Sequence, residues 1–126
     1  PPYSRMTAID MNTGDHRWMT PTGTGDRFRN HPRLRDLDLP PLGGDASRNG
    51  PLLTATLLIY SLSAGGTDGG PRLVAYDKAT GQVRASVDLP GGAIGTPMTY
   101  MLDGRQYIGV TVGGEAPSLI ALRLPS

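Results

Sequence analysis

Three observations predict an all-β chain of short strands joined by tight turns. Gly 18 and Pro 12 make up about a quarter of the 126 residues, which is roughly twice their average usage, and both residues interrupt helices. Short apolar runs, such as residues 52–53 and 57–59, alternate with turn signals. A pattern typical of a strand, a turn and a second strand occurs twice, in residues 8–18 and 75–85.

The composition excludes several other classes of protein. Only 37% of the residues are hydrophobic, and no apolar run approaches the ~20 residues of a membrane span. The chain has no cysteine and therefore no disulfide or thiolate site. Lys+Arg 12 against Asp+Glu 11 gives a net charge of +1, which is too balanced to predict a nucleic-acid partner. Because the chain starts at Pro1 without an initiator Met or a signal peptide, we expect it to be processed or to be a fragment.

The first part of the chain predicts one strand pair followed by a long loop. Residues 3–10 and 15–19 each suit a strand, and residues 12–14 suit a tight turn because Gly14 accepts a positive φ. From residue 20 to residue 50 the periodicity stops, and prolines and glycines accumulate. We expect residues 20–50 to lack regular structure, and loops of this length are usually functional or disordered.

The rest of the chain predicts further short strands, which gives about nine strands in total and no helix. Segments rich in Gly and Pro, at residues 64–71, 90–92 and 113–114, separate them. Asp103-Gly104 favours a type I′ turn, whose twist suits a two-residue hairpin. The predicted strands cover residues 52–54, 57–62, 73–77, 82–89, 96–102, 105–112 and 118–124.

The two copies of the repeated pattern share Ala, Asp, Thr, Gly and Arg at the same spacing. Each Asp ends a strand, where its carboxylate is expected to accept backbone N–H groups of the turn. The Thr is expected to bond to the same turn, and the Gly takes a conformation closed to residues with a Cβ. Each Ala is expected to be small because another group packs over it. Trp18 adds a large flat apolar surface with an N–H donor, and we expect it to pack on a neighbouring unit.

The pattern Ala-x-Asp-x-x-Thr-Gly-x-x-x-Trp resembles the tryptophan-docking motif of the eight-bladed quinoprotein β-propellers. Nearly the whole chain resembles the C-terminal part of the pyrroloquinoline-quinone (PQQ) dehydrogenases, and most of all their membrane-type glucose (sugar) dehydrogenase group. One position departs from the motif, because Ala85 stands where the second copy would have Trp. The segments that carry the resemblance are residues 29–32, 36–40, 73–81, 89–90, 95–100, 103–108 and 113–114.

This resemblance implies an all-β fold that is a partial β-propeller of two to three four-stranded antiparallel blades. Residues 1–126 would form a single propeller fragment. Its parts would be the end of one blade (1–19), a long loop (20–50), a full blade (51–89) and three strands of the last blade (95–124). An open run of blades leaves unpaired edges, so we expect the rest of the propeller or other copies of the chain to cover them.

The same resemblance implies a function for the parent enzyme. Such enzymes oxidise a sugar or alcohol hydroxyl with PQQ, a Ca²⁺ ion and a carboxylate base, and they pass electrons to a quinone or cytochrome. The base and the calcium ligands of the family lie N-terminal to this segment, so the sequence assigns no catalytic residue and no metal ligand here. We therefore expect the fragment alone to be inactive and to bind no cofactor. The resemblance also implies a periplasmic location.

The long loop contains a cluster of arginines within residues 25–35. PQQ is a tricarboxylate, and Arg pairs with carboxylates through two parallel hydrogen bonds. On this interpretation Arg29 and Arg33 bind the cofactor or shape the sugar pocket. On the alternative interpretation the loop is solvated, and its arginines pair with neighbouring aspartates.

Two other functions stay open from the sequence. The outer-membrane assembly lipoproteins share the blade motif without PQQ, so the chain is alternatively part of a non-catalytic scaffold that binds proteins. A third interpretation is a self-assembling blade fragment without native activity. Residues 96–100, together with the Pro-rich loop, favour the dehydrogenase.

The remaining candidate residues have structural explanations. Asp10 and Asp77 are explained by their turns rather than by a metal ion. His16 and His31 lack the spacing of a zinc site. The glycines of residues 65–70 are not followed by the Lys-Ser/Thr ending of a phosphate loop, so we expect this segment to connect two strands.

Overall fold

The computed structural model describes residues 1–123, which consist mainly of β-strands and their connections. In this part of the chain the elements are β1 (Arg5–Ile9), β2 (His16–Pro21), α1 (Asp26–Arg29), β3 (Leu52–Leu53), β4 (Leu57–Leu62), β5 (Arg72–Asp77), β6 (Val83–Asp88), β7 (Met98–Leu102), β8 (Arg105–Val112) and β9 (Ser118–Arg123). The all-β prediction is confirmed.

The strands form three antiparallel sheets that follow one another along the chain. β1 and β2 form a two-stranded sheet, β3 to β6 form a four-stranded sheet in sequential order, and β7 to β9 form a three-stranded sheet. The two repeated segments occupy equivalent places, since Ala8 pairs with Trp18 in the first sheet and Ala75 pairs with Ala85 in the second.

Most strand boundaries agree with the sequence prediction within two residues. The strands predicted at residues 57–62 and 105–112 have the predicted bounds. β7 begins at Met98 rather than at residue 96, because Pro97 has no N–H to donate to the ladder. β2 extends to Pro21, two residues beyond its predicted end. Residue 124, the predicted end of the last strand, lies outside the described residues.

The expectation that residues 20–50 contain no regular structure is wrong at one place, because α1 forms one helical turn there. Gly25 enters the helix with φ 73°, a left-handed conformation that suits glycine. Asp26 is the first residue of this turn, and Arg27 and Arg29 follow it. A single turn has no apolar periodicity, and for this reason the sequence analysis missed it.

The predicted hairpin at Asp103-Gly104 is present. The two residues have φ 49° and 73°, and a type I′ turn requires positive φ at both positions. Leu102 and Arg105 pair across the turn and start the ladder between β7 and β8.

The four-stranded sheet carries a hydrophobic cluster on each face, because successive side chains of a strand point to opposite faces. One cluster consists of Leu58, Tyr60, Leu62, Val74 and Tyr76, against which Met6 and Trp18 of the first sheet pack. The other consists of Ile59, Leu73, Leu89, Ala93, Val110 and Val112, and it includes residues of the third sheet. The middle sheet is therefore held between the other two sheets by apolar packing.

The two repeated turns are built alike, and both confirm the predicted role of the Asp. Oδ1 of Asp10 accepts the N–H of Asn12 at 2.9 Å, and Oδ1 of Asp77 accepts the N–H groups of Ala79 and Thr80 at 2.9 and 3.0 Å. In each turn the Thr hydroxyl accepts the backbone N–H two residues further on, at 3.2 and 3.3 Å. Both motif glycines have positive φ, 80° and 74°.

The Arg shared by the two copies holds the same carboxylate from the other side. Nε and Nη2 of Arg84 donate to Oδ2 of Asp77 at 3.1 and 2.7 Å. Arg17 donates to Asp10 in the same way, with its Nε at 3.0 Å. The Arg84 guanidinium is the main cause that lowers the pKa of Asp77, whereas the backbone N–H of Asn12 is the main cause for Asp10. The identical spacing of the two arginines, each seven residues after its Asp, is the sequence signal for this role.

Trp18 crosses from the first sheet to the second and packs on the turn of the second copy, as predicted. Its indole Nε1 donates to the carbonyl of Lys78 at 3.0 Å. A Cβ on Gly81 would lie 2.5 Å from Cε3 of Trp18, so only glycine leaves room for the indole. Ala85, at the equivalent position of the second copy, is exposed.

Replacing Gly81 by Ala is expected to destabilise the chain more than replacing Gly14 by Ala. Both positions have positive φ, so each variant carries the cost of a left-handed alanine, about 1–2 kcal/mol. Only at Gly81 would the new Cβ also meet Trp18, at 2.5 Å, whereas a Cβ on Gly14 would have no other part of residues 1–123 within 4 Å. Urea unfolding followed by far-UV circular dichroism measures both costs. In a Trp18→Ala background, Gly81→Ala and Gly14→Ala should lower the free energy of unfolding by the same amount. If Gly81→Ala remains more destabilising by the original margin, Trp18 does not pack on Gly81 as described.

Replacing Asp77 by Asn is expected to reduce the pH dependence of stability in acid. The pKa of Asp77 in the folded chain lies below its ordinary value of 3.8, so its contribution is present above that value and is lost as the pH falls through the lower folded pKa. The free energy of unfolding of Asp77→Asn should therefore change less than that of the wild type between about pH 5 and pH 2. The matched control is Asp68→Asn, because Asp68 is exposed and forms no ion pair with residues 1–123. Identical slopes for all three proteins refute the prediction.

Candidate functional site

Neighbouring strands run antiparallel, so the connections between consecutive strands alternate between the two ends of the sheets. The end formed by residues 22–51, 63–71, 89–97 and 113–117 is termed the connection face. The opposite end carries the two repeated turns and the Asp103-Gly104 hairpin. The long loop lies on the connection face, where it passes from the first sheet to the second.

Asp45 ties this long loop to the sheets. Its Oδ2 accepts the backbone N–H of Gly25 at 2.9 Å, and the residue is only 2% exposed. The N–H of Asp45 donates to the carbonyl of Thr22 at 3.1 Å, and its own carbonyl accepts the N–H of Ser63 at 2.7 Å. A buried carboxylate requires such hydrogen bonds to be tolerated. The start of the loop, its end and the end of β4 are thus joined at one buried residue.

Arg29 joins α1 to the far limb of the same loop. Its Nη1 donates to the carbonyl of Pro40 at 2.8 Å and also to the carbonyl of Leu39. Hydrogen bonds from a charged donor are stronger than those between neutral groups. The guanidinium therefore holds together two parts of the loop that are ten and eleven residues apart in sequence.

The aromatic side chain of α1 packs between the loop and the N-terminal segment. The ring centroids of Tyr3 and Phe28 are 4.7 Å apart, and Cζ of Arg27 lies 4.4 Å from the centroid of the Phe28 ring. A Cβ on Gly44 would lie 2.5 Å from Cε2 of Phe28. These contacts make the long loop an ordered part of the connection face.

A cleft of about 570 Å³ opens where all the connections of this face meet; it is termed the loop cleft. Its lining includes Ser47 and Arg48 from the long loop, Ser63 after β4, Gly92 and Ile94 before β7, and Gly113 after β8. Arg48 is the one charged residue in this lining. It is exposed and forms no ion pair with the described residues, so the cleft is locally positive.

The backbone on both sides of Arg48 is fixed by hydrogen bonds. The hydroxyl of Tyr60 donates to the carbonyl of Ser47 at 3.0 Å, and the carboxamide of Asn49 contacts the hydroxyl of Ser61. The N–H of Gly50 donates to Oγ1 of Thr96 at 3.0 Å. Burial raises the pKa of the Tyr60 hydroxyl, which is the donor of this contact.

A second cleft, of about 630 Å³, runs along β1. Its lining is largely apolar and includes Met6, Leu53 and Leu58. The two charged residues of the first repeated turn, Asp10 and Arg17, also line it but already pair with each other. Lys78 lines it as well, and its Nζ donates to the carbonyl of Thr54 at 3.2 Å. This cleft therefore offers mainly apolar packing surface, and its charged side chains are engaged with neighbouring groups.

The structure places the two predicted cofactor-binding residues on the long loop and outside the lining of the loop cleft. Arg29 is engaged with loop carbonyls, while Arg33 is exposed and its backbone N–H donates to Nδ1 of His31 at 3.2 Å. Arg35 and Asp36 form the one described ion pair of this loop, at 3.9 Å. The role of Arg29 and Arg33 in cofactor binding stays a prediction.

Two residues of this face were missed by the sequence analysis, Asp45 and Arg48. The burial of Asp45 depends on partners about 20 residues away on either side, and no local pattern reports such contacts. Arg48 stands three residues before Pro51, where the second run of strands was predicted to start, and that position was the available signal.

Residues 1–123 contain no group of three or more His, Cys, Asp or Glu side chains placed to hold a metal ion. Within the same residues, no helix has the length and apolar character needed to cross a membrane.

Successive antiparallel sheets that pack face to face, with a tryptophan of one sheet on the turn of the next, define a segment of a β-propeller. The chain belongs to the family described as "PQQ: Glucose/ethanol/alcohol dehydrogenase, beta-propeller domain", which matches residues 1–108. The resemblance to PQQ dehydrogenases and the partial-propeller prediction are thereby confirmed.

The chain is similar to several curated bacterial dehydrogenases. It is 38% identical over 116 residues to the glycerol dehydrogenase large subunit of Gluconobacter oxydans (strain 621H), which covers 91% of this chain and 15% of that protein. It is 35% identical to the quinoprotein glucose dehydrogenase of the same strain, over 91% of this chain and 14% of that protein. It is 32% identical to the quinate/shikimate dehydrogenase (quinone) of Acinetobacter baylyi, over 94% of this chain and 14% of that protein. The chain thus spans about 15% of the length of these relatives.

Solved structures give the same fold. The quinohemoprotein alcohol dehydrogenase of Comamonas testosteroni matches with a TM-score of 0.54 and 28% identity, over 86% of this chain and 12% of that chain. The quinohemoprotein alcohol dehydrogenase ADHIIG of Pseudomonas putida HK5 matches with a TM-score of 0.57 and 22% identity, over 87% of this chain and 12% of that chain. The chain is thus a short segment of a much larger propeller fold.

Replacing Arg29 by Gln is expected to loosen the far limb of the long loop. The variant loses the charged donor to Leu39 and Pro40, so the amides of Leu39 and Leu42 should exchange hydrogen faster while those of β4 and β5 do not change. Hydrogen exchange followed by mass spectrometry measures this difference. Arg33→Gln is the matched control, because the Arg33 side chain forms no ion pair with residues 1–123. Equal exchange in both variants would mean that Arg29 does not hold the loop.

Proposed function

We propose that the protein to which this chain belongs is a PQQ-dependent dehydrogenase that oxidises a hydroxyl group of a sugar, polyol or alcohol. The observation that carries the proposal is the family match over residues 1–108. This match runs through the long loop and into the third sheet, so it covers the blade motif and three of the four segments of the connection face. A scaffold that shared only the blade motif would not require that loop.

The names of the relatives support this substrate class. They are named as dehydrogenases of glycerol, of glucose and of quinate or shikimate, and each of these compounds carries secondary hydroxyl groups. Within this class we propose a sugar as the substrate, on the resemblance to the glucose dehydrogenase group. The resemblance also supports a periplasmic location and electron transfer to a quinone or cytochrome, and one relative carries "quinone" in its name.

The residues of the loop cleft fit one edge of the proposed cofactor. The cleft offers the unpaired guanidinium of Arg48, and the hydroxyl of Ser47 has no hydrogen-bond partner among the described residues. When bound, PQQ supplies the electron acceptor for oxidation of the hydroxyl-bearing carbon.

This chain contributes binding and positioning to that reaction. Asp45 and Arg29 order the long loop on the connection face, and we propose that the loop, with Arg29 and Arg33, covers part of the cofactor mouth. Calcium is proposed for the whole protein, and residues 1–123 contain no side-chain cluster that would ligate it. Because the chain holds only about 15% of such a protein, we propose that it is inactive when isolated.

The test is reconstitution of the full-length protein with PQQ and Ca²⁺, with dye reduction followed over a panel of glucose, glycerol and ethanol. We expect PQQ-dependent dye reduction by the full-length protein and none by the isolated chain. Arg29→Gln and Arg33→Gln should each weaken PQQ binding, and an unchanged PQQ titration would remove that residue as a contact. A full-length protein that neither binds PQQ nor reduces the dye would instead support the non-catalytic scaffold.

A further inference from the structure

We propose that Arg48 binds a carboxylate group in the loop cleft. The choice of ligand rests on the proposed function, since both the proposed cofactor and the acid products of sugar oxidation carry carboxylates. The site itself rests on three features of the connection face: an unpaired cation, a backbone fixed around it and, among residues 1–123, a cleft lining without a carboxylate.

The first feature is that Arg48 combines a place in the cleft lining with the lack of an ion pair within residues 1–123. Arg17 and Arg84 are paired with the aspartates of their turns, and Arg29 donates to loop carbonyls. Arg48 has none of these engagements within residues 1–123 and is the one charged residue that lines the cleft. Its guanidinium is therefore available for the two parallel hydrogen bonds that a carboxylate accepts.

The second feature is the rigidity of the segment that carries Arg48. Ala46 forms a bridge to Leu62, and the carbonyl of Ser47 accepts the Tyr60 hydroxyl at 3.0 Å. On the other side, Gly50 donates to Thr96 at 3.0 Å. A fixed backbone that carries a free charged side chain lowers the ordering cost of binding.

The third feature is the part of the cleft lining that comes from the other connections. Gly92 and Gly113 line the cleft together with Arg48, and the N–H of Gly113 donates to the carbonyl of Gly92 at 2.9 Å. Neither glycine contributes a side chain that could pair with the guanidinium. Among residues 1–123, no carboxylate lines the cleft to compete for Arg48.

The test uses the full-length protein and the variant Arg48→Gln. Arg48→Lys keeps the charge but loses the fork geometry. Arg105→Gln is the matched control, because Arg105 is an exposed arginine at the opposite end of the third sheet. Circular dichroism checks that all variants fold. Binding of PQQ is measured by quenching of protein fluorescence, and binding of gluconate by isothermal titration calorimetry with neutral glycerol as the uncharged comparison.

If the carboxylate belongs to the cofactor, Arg48→Gln should raise the Kd for PQQ about tenfold or more, as expected for loss of a charge-assisted bidentate contact. If it belongs to a sugar acid, the Kd for gluconate should rise by that factor while PQQ and glycerol binding do not change. For whichever ligand is affected, the Kd of Arg48→Lys should lie between those of the wild type and Arg48→Gln. The Kd values of Arg105→Gln should match those of the wild type.

Unchanged Kd values for both PQQ and gluconate in Arg48→Gln, in a protein whose wild type binds PQQ, overturn the role of Arg48 and leave the proposed function intact. A wild type that binds neither compound overturns the proposed function and this inference together. If Arg105→Gln raised the Kd by the same factor, the effect would come from the loss of one positive charge anywhere on the protein. That result would also overturn the assignment of Arg48.

Discussion

The packing of Trp18 on Gly81 is the contact on which the arrangement of the first two sheets depends. The indole fits only because residue 81 has no Cβ and a left-handed backbone. That backbone is set by the turn around Asp77. The Asp77 carboxylate accepts hydrogen bonds from two backbone N–H groups and from Nε and Nη2 of Arg84. A local turn thus prepares the surface on which a side chain 63 positions earlier in the sequence packs. The packing between the first two sheets therefore depends on the geometry of the turn around Asp77.

This dependence explains why the fold could be predicted from the sequence. Every interaction within the repeated turn joins residues no more than seven positions apart, so a short pattern of residue types is sufficient to specify it. The Asp103-Gly104 hairpin is equally local. The bounds of β4 and β8 followed from apolar runs that end at turn residues. Where the prediction erred, as at the start of β7, the cause was also local, since Pro97 cannot donate to the ladder.

The connection face could be predicted only in part, because its contacts span long distances in sequence. Gly25 and Asp45 are 20 residues apart, and Gly50 and Thr96 are 46 residues apart. Nothing in the composition of the long loop distinguishes Arg29, which holds carbonyls, from Arg48, which has no described ion pair. An arginine cluster in a sequence indicates positive charge, but the three-dimensional arrangement decides which guanidinium remains free to bind a ligand.

The two contacts of the middle sheet also differ in kind. On the side of the first sheet, Trp18 combines apolar packing with a hydrogen bond to a backbone carbonyl. On the side of the third sheet, Ala85 is exposed at the equivalent position, and the contact is made by aliphatic side chains such as Ile59, Val110 and Val112. Aliphatic packing is non-directional, so it does not fix the angle between sheets as a hydrogen-bonded indole does. The bond from Gly50 to Thr96 supplies a directional contact there instead. This bond lies on the connection face, so the residues that orient the third sheet are also those that position Arg48.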